Sequence, residues 1–267
     1  MADAPQRAEL REVADPQAPV RRGPSPDAPL DTEALKGERV AVHETTPEGW
    51  CRGTLEADFY AGWLPANALA APGPDATHKV AVARTLVFPG PSIKLPPLEG
   101  LSLGCRLAIA HSETPFAVTH SGGYVAARHL ARLDTFAPDP VAVAEQFLHV
   151  PYLWGGKTSL GLDCSGLVQI ALTACGIACP RDSHMQEQAL GAPLAFERVL
   201  ARDYSGLRRG DLLFWPGHVA MARDSATLIH ANAFHMAVAI EPIGDAIARI
   251  AATGSELTSV RRIPFKS

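Results

Sequence analysis

Residues 152–169 read YLWGGKTSLGLDCSGLVQ, and this stretch decides both the fold and the chemistry expected of the chain. Glycines are frequent in its first ten residues and predict a loop. Apolar residues then recur at helical spacing over residues 165–174, and Gly176 supplies a stop. Cys164 is therefore expected at or next to the first turn of a helix, where the helix dipole and free backbone N–H groups favour a thiolate.

Two histidines follow on predicted strands. His218 opens the segment 218–222 (HVAMA), and His230 lies in the segment 226–231 (ATLIHA). Between these segments, residues 223–225 (RDS) form a predicted three-residue turn, which is a common hairpin connection. The two strands are therefore expected to form an antiparallel hairpin with one histidine on each strand.

The register of this hairpin predicts the catalytic set. If Ala222 pairs with Ala226, His218 lies directly opposite His230, with Cβ atoms about 4.5–5.5 Å apart. We expect Cys164 to attack as the thiolate and His218 to act as the general base and then the general acid. His230 would hydrogen-bond His218 and fix its tautomer and ring plane.

Composition excludes several classes of partner. The chain has 267 residues, 47% apolar residues and a net charge of −4. It has no basic block, so no nucleic-acid partner is predicted. No apolar run approaches the ~20 residues of a membrane span, so no membrane partner is predicted either. The first residues lack the apolar core of a secretory signal, and a cytoplasmic location is expected. The sequence leaves the oligomeric state open.

The cysteines predict neither a disulfide framework nor a metal site. Their number, five, is odd and their spacing has no framework pattern, which is typical of a reducing compartment. Cys175 and Cys179 are four residues apart, but no second pair completes a zinc site. Both are interpreted as small apolar residues near a helix end, and no cofactor is predicted.

The chain has a predicted division into four parts. Residues 1–17 are polar and are expected to be a disordered tail. A weak internal repeat of short alternating segments with turn residues predicts two small β-barrels, over residues 18–72 and 75–134. Composition changes after the prolines at 138 and 140, so a third domain is expected over residues 136–267.

Two resemblances identify families. The first barrel ends in YAGWLPANAL at Tyr60, which resembles the bacterial SH3-type domain; the second copy matches less well, since Ala126 stands where the first has Gly62. Residues 140–240 resemble the NlpC-type cell-wall cysteine peptidases. The motifs that carry this resemblance are YLWGG, DCSGLVQ, PRDS followed by Gln186, RGDLLFW, GHVAM and IHA. The resemblance implies an α+β protein, with a papain-like catalytic domain preceded by two small SH3-like β-barrels.

One branch of this family has two barrels before the catalytic domain and acts on stem peptides with a free N-terminal L-alanine. The resemblance implies hydrolysis of the bond between γ-D-glutamate and diaminopimelate or lysine, releasing L-Ala-γ-D-Glu for murein recycling. Peptidoglycan-derived peptides would then be the partners. The substrate-binding residues carried over by motif are Tyr60, Tyr152, Asp163, Ser165 and Ser183. A further acid of the first barrel is expected to help, with Asp31 or Glu33 as candidates.

Three alternatives remain open at this point. The first is an envelope endopeptidase that cuts intact peptidoglycan. The second is a binding module with an inactive papain-like domain, against which the complete set of Cys164, His218 and His230 argues. The third is acyl transfer to lipid in a related fold, which the PRDS motif and the absence of an apolar tail disfavour.

Overall fold

The computed structural model describes residues 8–265. The chain divides into two compact units, one that ends at Thr135 and one that begins at Phe136. No helix within residues 8–265 has the length and apolar character needed to cross a membrane.

The first half of the first unit is a seven-stranded antiparallel sheet with the order β3-β2-β6-β5-β4-β1-β7. Its strands are β1 (Glu9–Val13), β2 (Gln17–Arg21), β3 (Leu30–Leu35), β4 (Arg39–Thr45), β5 (Trp50–Leu55), β6 (Ala61–Pro65) and β7 (Leu69–Ala70). A 3₁₀ turn, Ala66–Ala68, joins the last two strands. Alternate residues of β2, β4 and β5 are buried and form one apolar core, as expected for strands with one face inward.

The predicted disordered tail over residues 1–17 is wrong from Glu9 onward. Residues 9–13 form β1, which pairs with both β4 and β7, and residue 17 begins β2. The polar composition of β1 misled the sequence analysis, because only Val13 of this strand is buried. Backbone hydrogen bonds to neighbouring strands hold the segment instead. Residues 1–7 lie outside the described residues.

The second half of the first unit forms two small antiparallel sheets with the orders β10-β9-β14-β13-β12 and β11-β8-β15. The strands are β8 (His78–Val80), β9 (Arg84–Phe88), β10 (Glu99–Ser102), β11 (Arg106–Leu107), β12 (Ile109–Glu113), β13 (Phe116–Thr119), β14 (Tyr124–Ala126) and β15 (Leu130–Arg132). A 3₁₀ turn, Ala127–His129, precedes β15, in the position that Ala66–Ala68 holds before β7. Each half of the first unit therefore ends in a 3₁₀ turn followed by a short strand.

The second unit combines five helices with a six-stranded antiparallel sheet and a small two-stranded ribbon. Its elements are α1 (Pro140–Glu145), β16 (Lys157–Thr158), β17 (Gly161–Leu162), α2 (Cys164–Ala174), α3 (Ser183–Ala189), β18 (Ala192–Leu194), α4 (Glu197–Leu200), β19 (Leu212–Trp215), β20 (His218–Ala222), β21 (Thr227–Asn232), β22 (Ala237–Pro242), α5 (Ile243–Ala251) and β23 (Ser259–Arg262). The large sheet has the order β18-β23-β19-β20-β21-β22.

The central strands of this sheet and helix α2 form the core of the second unit. Every residue of β19 is buried, as are all residues of β20 except His218. Helix α2 is buried along its length up to Leu172, so it is an internal helix rather than a surface one. Gly176 follows its end with a φ of +78°, which confirms the predicted stop.

Candidate active site

Helix α2 begins at Cys164, as the sequence predicts. Asp163 is its N-cap residue and accepts a hydrogen bond from the backbone N–H of Gly166 at 2.7 Å. The Asp163 carboxylate also accepts from the N–H of Gly155 at 2.9 Å, which ties the glycine loop to the helix start. Cys164 is thereby fixed in the first turn, where backbone N–H groups have no partner within the helix.

The sulfur of Cys164 faces the beginning of β20. It lies 3.9 Å from the carbonyl oxygen of Gly217, and the N–H groups of Val219 and Ser165 favour its thiolate. Burial and the negative charge of Asp163 act more strongly in the other direction and raise the pKa of the Cys164 thiol to about 12. In the free protein the group is therefore a neutral thiol at neutral pH.

The two histidines meet as the sequence predicts, with His218 Nε2 and His230 Nδ1 2.9 Å apart. The predicted register that led to this expectation is wrong. Ala222 pairs with Leu228 rather than with Ala226, so His218 lies diagonally across from His230 instead of directly opposite. The register differs by two residues, which leaves the same side chains on the same face. The predicted contact between His218 and His230 is therefore present despite the different register.

The turn chemistry explains the difference in register. Asp224 accepts hydrogen bonds from the backbone N–H groups of Ala226 and Thr227, both at 2.7 Å, while the N–H of Arg223 donates to the carbonyl of Thr227. The loop therefore consists of residues 224–226, one residue later than predicted, because an aspartate readily hydrogen-bonds the backbone two residues ahead.

A carboxylate and a guanidinium that the sequence analysis missed lie behind the histidine pair. His230 Nε2 lies 2.6 Å from Glu241 Oε1 on β22, and Arg249 of α5 donates to the same oxygen. Although burial opposes ionisation, the hydrogen bonds from His230 and Arg249 prevail and lower the pKa of Glu241 to about 2. One sequence signal existed: Glu241 is the only charged residue among residues 237–242.

Desolvation dominates the titration of the two histidines. Burial, followed by the positive charges of His230 and Arg249, lowers the pKa of His218 to about 3, against the opposing effect of Glu241. Burial also lowers the pKa of His230. Both imidazoles are therefore neutral at neutral pH, and His218 can accept a proton.

Asp163 and Ser165, two predicted substrate ligands, are engaged with Arg181. The guanidinium of Arg181 is 1% exposed and binds both oxygens of the Asp163 carboxylate, at 2.9 and 2.7 Å. It also donates to Ser165 Oγ at 2.8 Å, and that hydroxyl donates to Asp163. The charge of Asp163 is therefore already balanced within the protein. The PRDS motif contains Arg181, but no local signal along the chain indicates that Asp163 is its partner.

Tyr152 lies in the electrostatic field of the nucleophile. Burial raises its pKa to about 12, and negative charge on Cys164 and Asp163 adds to the shift. Its hydroxyl is therefore a protonated donor at neutral pH and can bind a substrate carbonyl or carboxylate. Ser183 begins α3, two residues after Arg181, and its substrate role stays a prediction.

The predicted ligands of the first unit have local partners. Tyr60 packs against the apolar core of that unit. Asp31 forms an ion pair with Arg22 at 2.7 Å, and Glu33 is 5% exposed. Their contacts with substrate remain predictions.

One group of side chains has the composition of a metal site. Ligand atoms of His230, His235 and Glu241 lie within 4.8 Å of one another. Both nitrogens of His230 are already in hydrogen bonds, and Glu241 already forms an ion pair with the positively charged Arg249. We therefore assign this cluster to hydrogen bonding rather than to a cation.

This arrangement can perform acyl transfer. A cysteine at a helix N-terminus, an uncharged imidazole that can accept its proton, and a second imidazole that orients the first are the parts required. The first-turn N–H groups of α2 are donors for the oxyanion that forms during attack on a carbonyl.

The fold and this site define a papain-like α+β class of protein, and comparisons with known proteins identify two of its domains. Residues 149–251 match the NlpC/P60 family, and residues 20–69 match the bacterial dipeptidyl-peptidase SH3 domain. The chain therefore carries an NlpC/P60 domain and, ahead of it, an SH3-like domain. The SH3 match covers the first predicted barrel only, so the barrel predicted over residues 75–134 remains a prediction.

Two curated relatives carry peptidase names. Dipeptidyl-peptidase 6 of Lysinibacillus sphaericus is 37% identical over 106 residues, which are 40% of this chain and 36% of the relative. The chain thus spans about a third of that protein. Gamma-D-glutamyl-L-lysine dipeptidyl-peptidase of Bacillus cereus is 25% identical over 246 residues, covering 80% of this chain and 71% of the relative.

A solved structure shares the whole architecture. The crystal structure of an NlpC/P60 family protein from Bacillus cereus matches with a TM-score of 0.78 and 22% identity, over 96% of this chain and all of that one. At this identity the likeness establishes the fold alone.

Proposed function

We propose that this chain is a cysteine peptidase that hydrolyses peptidoglycan stem peptides with a free N-terminal L-alanine. It would cut between γ-D-glutamate and diaminopimelate or lysine and release L-Ala-γ-D-Glu for murein recycling in the cytoplasm. The observation that carries the proposal is the site itself, where Cys164 at the start of α2 faces β20 and His218 is hydrogen-bonded to His230. The name of the Bacillus cereus relative supports the choice of bond, and the name of the Lysinibacillus sphaericus relative supports release of a dipeptide.

The reaction follows from the geometry. As Cys164 attacks the γ-carbonyl carbon of D-glutamate, its proton passes to His218, and the oxyanion takes hydrogen bonds from first-turn N–H groups. Collapse of the adduct breaks the C–N bond, and the leaving amine takes the proton from His218. Water, deprotonated by His218, then hydrolyses the thioester, which restores the thiol and releases the dipeptide acid.

A specific observation supports an alternative, a cell-wall endopeptidase that acts on intact peptidoglycan. Asp163, the predicted ligand of the substrate amine, has both oxygens bound to Arg181 and backbone N–H groups. A free ammonium would have to find its counter-charge elsewhere. A pocket without that counter-charge would tolerate an amidated N-terminus.

The test is mass spectrometry of the purified protein incubated with two substrates. One is free L-Ala-γ-D-Glu-diaminopimelate, and the other is the same stem amidated onto muramic acid. We expect cleavage of the free tripeptide alone, with loss of activity in Cys164→Ala. Equal cleavage of both substrates would favour the endopeptidase, and cleavage of neither would contradict the peptidoglycan assignment.

A further inference from the structure

A chain of hydrogen bonds extends from the histidine pair across neighbouring strands to the edge strand β22. It runs from His218 on β20 to His230 on β21, then to Glu241 on β22, where Arg249 of α5 completes it. The three strands are neighbours in the sheet, so each member of the chain comes from the next strand across. His230 is 1% exposed and Glu241 9% exposed, so the inner part of the chain is buried.

The positions of the protons follow from the acceptor at the end. A carboxylate has only acceptors, so Glu241 requires a proton on His230 Nε2. A neutral imidazole has one N–H, so His230 Nδ1 is an acceptor and His218 must donate to it from Nε2. The lone pair of neutral His218 is then on Nδ1.

We propose that Glu241, anchored by Arg249, is a positioning residue that fixes both imidazole tautomers and makes His218 Nδ1 the base for Cys164. This inference rests on the proposed function only in taking Cys164 as the nucleophile and His218 as its base. The carboxylate also stabilises the imidazolium that forms when His218 takes the thiol proton, because its negative charge acts across one buried imidazole.

Arg249 holds Glu241 in place from two sides. Its guanidinium donates to Glu241 and stacks over the ring of Phe234, 4.4 Å from the centroid, in the turn between β21 and β22. The geometry therefore connects α5, β22 and this turn around one carboxylate. The positive charge of Arg249 disfavours protonation of His218. The contribution of Arg249 is therefore to anchor Glu241 rather than to stabilise the imidazolium.

The charged and titratable groups around the chain set the sign of the expected pH effect. Around His218 these groups are His230, Arg249, Glu241 and, in the proposed reaction, the neutral thiol of Cys164; around His230 they are Glu241, Arg249 and His235. Glu241 is the only negative charge among them. Removal of the Glu241 charge makes the imidazolium of His218 easier to deprotonate and so lowers its pKa. A change in the pH dependence of kcat must therefore be a shift to lower pH.

The experiment compares Glu241→Gln with Glu197→Gln. Glutamine keeps the size and an acceptor for His230 but removes the charge, and Glu197 is an exposed glutamate of α4 that serves as the matched control. We measure kcat and KM against pH with the free tripeptide. Independently, we measure the rate at which iodoacetamide alkylates Cys164 by mass spectrometry of the peptide that contains it. Glu241→Asp tests rescue of the charge.

In Glu241→Gln we expect a fall of about tenfold or more in kcat, with KM little changed, since one pKa unit of lost imidazolium stabilisation is about tenfold. The alkylation rate should fall in parallel, and Glu241→Asp should recover part of both. Glu197→Gln should behave as the unaltered protein.

Two outcomes would overturn the inference. One is kcat and alkylation in Glu241→Gln equal to those of Glu197→Gln. The other is a fall in activity with no shift of the pH profile and no recovery in Glu241→Asp, which would mean that the side chain serves packing alone. If the protein cleaves neither stem peptide yet alkylation responds as expected, the proposed substrate fails while this inference stands.

Discussion

Arg181 illustrates at the residue scale how a buried charge organises the candidate site. Its guanidinium neutralises Asp163 and orients Ser165, so both residues next to Cys164 depend on one side chain. The ion pair of Arg181 with Asp163 lies in the interior, where an unpaired charge is far more costly than on the surface. This dependence can be measured.

We predict that Arg181→Met destabilises the protein by about 3–5 kcal/mol, because it leaves the buried Asp163 carboxylate without an opposite charge. Urea unfolding measures this value. Arg198→Met is the matched control, since its ion pair with Asp203 is exposed and should contribute little to stability. Equal effects of the two substitutions would contradict the role given to Arg181.

The histidine pair predicts a loss of stability at acid pH. The pKa values of His218 and His230 are lowered in the folded state from 6.5. As the pH drops below about 6.5, the unfolded chain therefore binds protons that the folded chain does not. The free energy of unfolding decreases as the pH decreases. Chemical unfolding from pH 7.5 to 5 should show this slope, and His218→Gln should reduce it. An unchanged slope in that variant would rule out His218 as its source.

At the element scale, helix α2 depends on a close backbone approach at its first turn. A Cβ at Gly166 would lie 2.2 Å from the carbonyl oxygen of Gly156, which belongs to the glycine loop. That oxygen accepts the N–H of Asp163, so it cannot move without loosening the N-cap. Glycine is needed here for space, although alanine is the better helix former.

We therefore predict that Gly166→Ala lowers the melting temperature and the rate of Cys164 alkylation together. Gly244→Ala in α5 is the comparison, because its nearest neighbour is the side-chain hydroxyl of Tyr204 at 3.2 Å, which can shift. Its effect on the melting temperature should be smaller, and alkylation should not change. If the two substitutions behave alike, the close approach at Gly166 is not what holds the nucleophile.

How far the sequence predicts the fold differs from element to element. Helix α2 was predictable because its cap, its apolar spacing and its stop at Gly176 are all local signals. Strand β1 was not, because its sequence is polar and its pairing partners lie about 30 and 60 residues further along the chain. For the hairpin of β20 and β21, the sequence predicted that His218 and His230 lie on the same face of the sheet. It did not predict the register, which depends on the hydrogen bonds of Asp224 in the turn.

The candidate site shows the same division. Cys164, His218 and His230 could be found because residue type and spacing along the chain indicate their chemistry. Glu241 and Arg249 were missed because they meet His230 only through the order of strands in the sheet and the return of α5. Contacts of this kind have no local signature.

At the scale of the whole molecule, each of the two units has its own sheets and its own buried residues. Units of about 130 residues with separate cores commonly fold alone. Tyr60, a predicted substrate ligand, belongs to the first unit, whereas the hydrogen-bond chain lies wholly in the second.

We predict that residues 136–267, produced alone, unfold cooperatively and keep the alkylation rate of Cys164 seen in the full chain. We also expect this fragment to lose discrimination between the free tripeptide and the muramic acid conjugate. Circular dichroism and mass spectrometry measure the two properties. A fragment that folds and still discriminates would remove the first unit from substrate selection.

The burial of His230 has a consequence for the route of the catalytic proton. Solvent does not reach the inner ring, and the nitrogen that faces Glu241 already carries its hydrogen. In the proposed reaction, a proton that arrives on His218 from the thiol therefore has no exit through His230 and Glu241. It leaves instead with the departing amine of the substrate. The same hydrogen that begins on sulfur should end on the product, and its transfer should be retarded in heavy water.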